Sequence, residues 1–171
     1  MQHTIVRAAA VAGLTLGLAV AVVPAYADSA RVVTARGPLT VYADPYGDGT
    51  PNPADGGSAA VLSFTTAGAK TIVTLRVRGL APDRAFGAHA HVLGCTDTQG
   101  GGHYQNVPGT ANDANEIWLD FTTNSSGTGV AHTQVDWAFR ADGANSVVIH
   151  DHATDPAGTA GPKLACLDVQ F

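Results

Sequence analysis

Short runs of β-branched and aromatic residues, cut again and again by turn residues, leave this chain little room to fold as anything but strands. Eight such runs occur, at residues 38–43, 60–66, 70–79, 85–92, 117–123, 128–137, 144–150 and 164–171. Between them stand Asp48-Gly49, Asn52-Pro53, Asp55-Gly56-Gly57, Asn124-Ser125-Ser126-Gly127 and Asp142-Gly143, the dipeptides and clusters that reverse a chain. Alternation is clearest in Thr71–Arg78, where Val73, Leu75 and Val77 share one face and Ile72 stands apart from them, as side chains two apart in a strand must. Eight punctuated strands and almost no helix predict an antiparallel sandwich or barrel. Residues 44–59, rich in Pro, Gly and Asp, read as a long loop, and no internal repeat is evident.

The N-terminus carries a different signal. Met1 and Arg7 precede an apolar run from Ala8 to Val23, followed by Pro24-Ala25-Tyr26-Ala27. A basic start, an apolar stretch and small residues at Ala25 and Ala27 predict a signal peptide cut after Ala27. The apolar run falls short of the about 20 residues a spanning helix needs. The expected product is a secreted chain, residues 28–171, forming one domain.

Export changes the charge. Without Arg7, eight basic and 14 acidic side chains leave a net charge of −6. That balance argues against nucleic acid, or an anionic membrane surface, as a partner of the mature chain. Cys95 and Cys166 are the only cysteines. In an oxidising compartment an even pair implies one disulfide, ahead of a thiolate ligand or a nucleophile.

Six histidines remain after the predicted cleavage: His89, His91, His103, His132, His150 and His152. His89 and His91 lie two apart in a strand-like stretch, so both imidazoles reach one side of a sheet. His103 follows Gly100-Gly101-Gly102, and His150 ends the apolar run Val147-Val148-Ile149. Imidazole nitrogens without a cysteine or a carboxylate pair suit copper. His132, in a strand-like run with Val130 and Val135, and His152 read as solvated.

These residues, in order, resemble a known family. Gly79-Leu80-Ala81-Pro82 with Gly87-Ala88-His89-Ala90-His91 is similar to the stretch that carries the first two copper ligands of copper/zinc superoxide dismutases. Gly102-His103-Tyr104-Gln105-Asn106 resembles the segment whose histidine bridges copper and zinc. Val147-Val148-Ile149-His150 resembles the strand bearing the last copper histidine, and Gly161-Pro162-Lys163-Leu164-Ala165-Cys166 the closing segment. The resemblance covers residues 60–171. It implies a Greek-key, immunoglobulin-like sandwich, copper held by His89, His91, His103 and His150, and a Cys95–Cys166 bridge tying the ligand-bearing loop to the last strand. Lys163 stands where the family has its active-site arginine, keeping the charge but losing the planar fork.

Departures from the family pattern are equally specific. Between His103 and Ile117 there is no further histidine, where the family has two zinc ligands. Closed zinc sites take four protein ligands, usually Cys or His, so zinc is not expected. Asp113 and Glu116 remain in that stretch, and either is a candidate to orient the far nitrogen of His103. The family's Asp linking the two metal sites corresponds to Thr154, with Asp155 beside it. Together these losses resemble the copper-only branch. The implied activity is conversion of superoxide to dioxygen and hydrogen peroxide with one copper per chain, Lys163 and His103 acting at the site. The alternative is a secreted copper-binding protein for buffering or delivery, with little turnover.

Overall fold

The computed structural model describes residues 30–171; the expected signal segment, 1–27, lies outside the described residues. The chain is all β, in two antiparallel sheets. Strands β1 (Arg31–Pro38), β3 (Ser58–Thr65), β4 (Thr71–Arg78) and β7 (Gly129–Val135) form a four-stranded sheet in the order β1-β3-β4-β7. Strands β2 (Thr40–Val41), β9 (Lys163–Asp168), β8 (Ser146–His150), β5 (Ala85–His91) and β6 (Phe121–Thr122) form a five-stranded sheet in that order. Among the described residues no helix is long and apolar enough to cross a membrane.

Among the described residues nine strands stand where eight were expected. The addition is β1, which pairs only with β3. Its inward side offers just Val33 and Ala35 to the core, so the alternation that marks a strand is faint in the sequence. The expected strand 38–43 contracts to β2, because Pro38 ends β1 in one sheet and Thr40 pairs with Cys166 in the other. Leu39, buried between them, marks the crossing. The expected strand 117–123 narrows to Phe121–Thr122, with one isolated bridge between His89 and Trp118. Asp120 interrupts the ladder: its Oδ1 accepts from Ala88 N at 3.4 Å, a place a backbone carbonyl would otherwise fill.

The core lies between the sheets. Val73, Leu75 and Val77 are fully buried there, while Ile72 on the opposite face is 37% exposed, as the alternation requires. From the other sheet come Ala88, Ala90, Val147, Ile149, Ala165 and Leu167. Fully burying a residue such as Leu75 contributes roughly 1.5–3 kcal/mol. The two outer faces differ. The outer face of the five-stranded sheet is covered: Val148 and Cys166 on it are fully buried, packed with Tyr42 and Cys95.

Candidate metal centre

Strand geometry brings the first three histidines together. In β5, Phe86, Ala88 and Ala90 belong to the core, so His89 and His91 must lie on the opposite, covered face. In β8 the same alternation puts Val147 and Ile149 inward and His150 outward, and Gly87 of β5 pairs with His150. The fourth arrives by a loop. His103 forms an isolated bridge with His91, and Tyr104 N donates to Ala90 O at 2.8 Å. Two of the three glycines before it are structural requirements: Gly100 has φ +82° and Gly101 φ +66°, and a Cβ at Gly100 would come within 2.6 Å of Val148 Cγ2.

Hydrogen bonding assigns the ring protons. His91 Nδ1 lies 3.0 Å from Gly101 O, His150 Nδ1 3.2 Å from Gly161 O, and His103 Nδ1 3.0 Å from Glu116 Oε2. Carbonyl and carboxylate oxygens only accept, so each Nδ1 carries a proton, and in the neutral ring that a metal requires Nε2 is the nitrogen with the lone pair. His91 Nε2 and His150 Nε2 then face each other at 3.2 Å as two acceptors without a proton between them. His89 is turned the other way. Its Nε2 lies 2.7 Å from Thr154 Oγ1, whose own proton goes to Asp120 Oδ1 at 2.6 Å. His89 Nδ1 is left buried with no partner, which costs free energy unless something binds it.

One ring nitrogen from each of His89, His91, His103 and His150 lies within 4.8 Å of the others. Burial, reinforced by the neighbouring imidazoles, pushes His89 far below the usual histidine range and His91 down to about 2. His150 is pushed down to about 4, again by burial first. Neutral rings with converging lone pairs are what a cation requires. The cluster can hold a metal ion.

The other expected site residues fall into two groups. Glu116, only 1% exposed, takes the position beside His103. Its Oε2 also accepts from Trp118 Nε1 at 2.8 Å, and its Oε1 from Gln105 Nε2 at 2.8 Å. Asp113 is exposed on the same loop and does not join the cluster. Lys163 is half-buried, and its Nζ donates to Gly101 O at 2.6 Å, the same carbonyl that receives His91 Nδ1–H. Burial lowers the Lys163 pKa. Cys95 and Cys166 form the disulfide, with Cα atoms 5.5 Å apart. His132 is exposed, and His152 points its Nδ1 at Asp151 Oδ2, 3.0 Å away, outside the cluster. Asp155 caps its own turn through Ala157 N and Thr159 N.

Asp120, Trp118 and Gln105 could not be picked out from sequence, because each contributes through a fold-dependent hydrogen bond. No protein-family model matches the chain, and no curated protein matches it.

Glu116 receives three donors and holds the His103 proton in place. Glu116→Gln should therefore keep the fold yet weaken metal affinity or activity by roughly 10–100-fold. Metal competition against a chelator checks this. A variant indistinguishable from the parent would reduce Glu116 to a buried packing residue.

Proposed function

We propose that the protein is a secreted, copper-dependent superoxide dismutase of the copper-only branch of the copper/zinc superoxide dismutase family, with that family's Greek-key, immunoglobulin-like sandwich. The observation that carries this reading is the set of four unprotonated imidazole nitrogens with a carboxylate, not a second set of histidines, behind His103. All-nitrogen donors favour Cu(II) over Zn(II) in the usual affinity order. Where a zinc ion would share His103, both oxygens of Glu116 already accept hydrogen bonds from Gln105, Trp118 and His103.

Bound by His89, His91, His103 and His150, copper would supply a one-electron couple that takes two superoxide ions and two protons to dioxygen and hydrogen peroxide. The chain's own residues do the rest. Gly101 O, Gly161 O, Glu116 and the Thr154–Asp120 pair fix the four rings, so little reorganisation accompanies a change in the ion's charge. His103 is the least enclosed of the four, with 19% of its side chain exposed, and opens the cluster to solvent on its side. Lys163 supplies a positive charge beside an anion-consuming site in an acidic chain.

Protein offered both metals in excess and then dialysed should hold one copper and no zinc by elemental analysis. Its electron paramagnetic resonance spectrum should show nitrogen coordination, and it should consume superoxide. Two metals per chain would overturn the zinc-free reading. Copper without turnover would favour the buffering protein.

Lys163→Ala should slow superoxide turnover and flatten its dependence on ionic strength, since the attraction of an incoming anion to the half-buried Lys163 charge is screened beyond about 10 Å at 0.1 M salt. Lys163 also ties down the Gly101 carbonyl, so copper affinity is measured alongside. Loss of copper with unchanged salt dependence would make Lys163 an anchor for the loop and not a guide for substrate.

A further inference from the structure

The outer face of the four-stranded sheet is unlike the rest of this acidic chain. Even-numbered residues of β1, β3, β4 and β7 point outward, and these strands contain no Asp or Glu, although the whole chain has 14 acids. Three arginines cluster at one end. Arg36 and Arg76 flank Ala60 in one cross-strand row, and Arg78 lies opposite Ser58 in the next. The small side chains of Ala60 and Ser58 leave a hollow of about 310 Å³ between the arginines. Among the described residues none of the three has a carboxylate within ion-pair distance.

The other end is apolar. Val32, Phe64 and Ile72 form one cross-strand row, with Leu62 two residues along; they are 61%, 39%, 37% and 48% exposed, respectively. A second hollow, about 580 Å³, runs from Arg36 past Ala60 to Leu62 and joins the two ends. A contiguous exposed patch of this kind marks an interaction surface.

We propose that this face seats the protein on a phospholipid surface bearing anionic headgroups. Guanidinium forks match phosphate oxygens, and aliphatic and aromatic side chains beside them can sink to the boundary of the acyl chains. The overall negative charge, which argues against such a partner for the molecule as a whole, is absent from this face. A hydrated polyanion would engage the arginines but leave Val32, Leu62, Phe64 and Ile72 in water. A twofold pairing of two copies would set arginines into an interface with no acid from either strand set. Docked this way, the histidine cluster, on the outer side of the opposite sheet, faces away from the lipid. The inference does not depend on which metal the cluster holds.

Co-sedimentation with phosphatidylcholine vesicles, with and without phosphatidylglycerol, tests it. The protein should bind only the mixed vesicles, and binding should weaken with salt. Arg36→Gln, Arg76→Gln and Arg78→Gln together should lower the partition coefficient on the order of 100-fold, since each basic residue near such a surface contributes roughly fivefold. Leu62→Gln with Phe64→Gln should weaken binding too. Thermal melting of both variants shows whether the fold is kept, and Arg76→Gln alone serves if the triple variant unfolds. Equal binding to both vesicle types, or full binding by the arginine variant, would overturn the proposal. Binding to dextran sulfate but not to vesicles would replace lipid with a soluble polyanion. A concentration-dependent dimer dissolved by Leu62→Gln and Phe64→Gln would replace it with self-association.

Discussion

Metal-free protein should lose about 4 kcal/mol of folding stability between about pH 7.5 and about pH 5.5. Three groups drive the loss. His89, His91 and His150 are buried and have depressed pKa values in the folded chain, while the unfolded chain titrates them near the ordinary value of about 6.5. Below that value the unfolded state takes up protons that the folded state refuses, so stability is complete above it and falls as pH falls. One pH unit corresponds to about 1.4 kcal/mol per histidine; near pH 4 folded His150 protonates and adds no further loss, while His89 and His91 continue the fall below it. Urea denaturation at several pH values measures this directly. Copper should hold stability to lower pH, because a bound ion favours the same neutral rings until protons displace it. A midpoint that does not move between these pH values would mean that the three rings are not buried neutral in solution.

How much of the fold could be read in advance depended on which side of a strand carried large side chains. β4 was legible because Val73, Leu75 and Val77 alternate with polar residues, and all three are buried. β1 was not, because its inward positions are Val33, Ala35 and Gly37, and its outward ones include Val32. The alternation is correct in sign but carried by small side chains and blurred by Val32, so it becomes clear only through pairing with β3. The segment 117–123 has strand composition throughout. Asp120 nevertheless takes the Ala88 N–H with its side chain, and no local propensity announces such a substitution.

At the site, the convergence of His89, His91 and His150 follows from two alternating strands that pair. His103 needed a resemblance to be placed, since a residue after three glycines has no periodicity to follow. The choice between Asp113 and Glu116 needed coordinates: Glu116 is pulled inward by Trp118 and Gln105, partners that lie in space and not in spacing. Thr154 beside Asp155 could be located by alignment with the family's linking Asp, but not the route by which it works. Its hydroxyl accepts from His89 and donates to Asp120, so the carboxylate that steadies His89 stands 34 residues before Thr154 in the chain.

Replacing both cysteines with serine should cost about 4 kcal/mol of folding stability, because the bridge closes a loop whose entropy the unfolded chain would otherwise recover. Cys95 and Cys166 are 71 residues apart in sequence and almost wholly buried. The local effect should be much smaller than the global one. Cys95 N donates to Asp168 Oδ1 at 2.7 Å, and Tyr42 donates its hydroxyl proton to Cys95 O at 3.2 Å. Burial, with Asp168 nearby, pushes the Tyr42 pKa up to about 12, so that hydroxyl remains a donor throughout the physiological range. These two bonds hold the segment between His91 and His103 against β9 and Tyr42 after the sulfur link is gone. Urea denaturation of Cys95→Ser/Cys166→Ser should therefore show the stability loss, while competition with a chelator shows copper affinity close to that of the parent. Copper affinity falling as steeply as stability would assign the bridge itself the task of aligning His103. An unchanged denaturation midpoint would mean that the unfolded chain is already compact enough for the cross-link to constrain little.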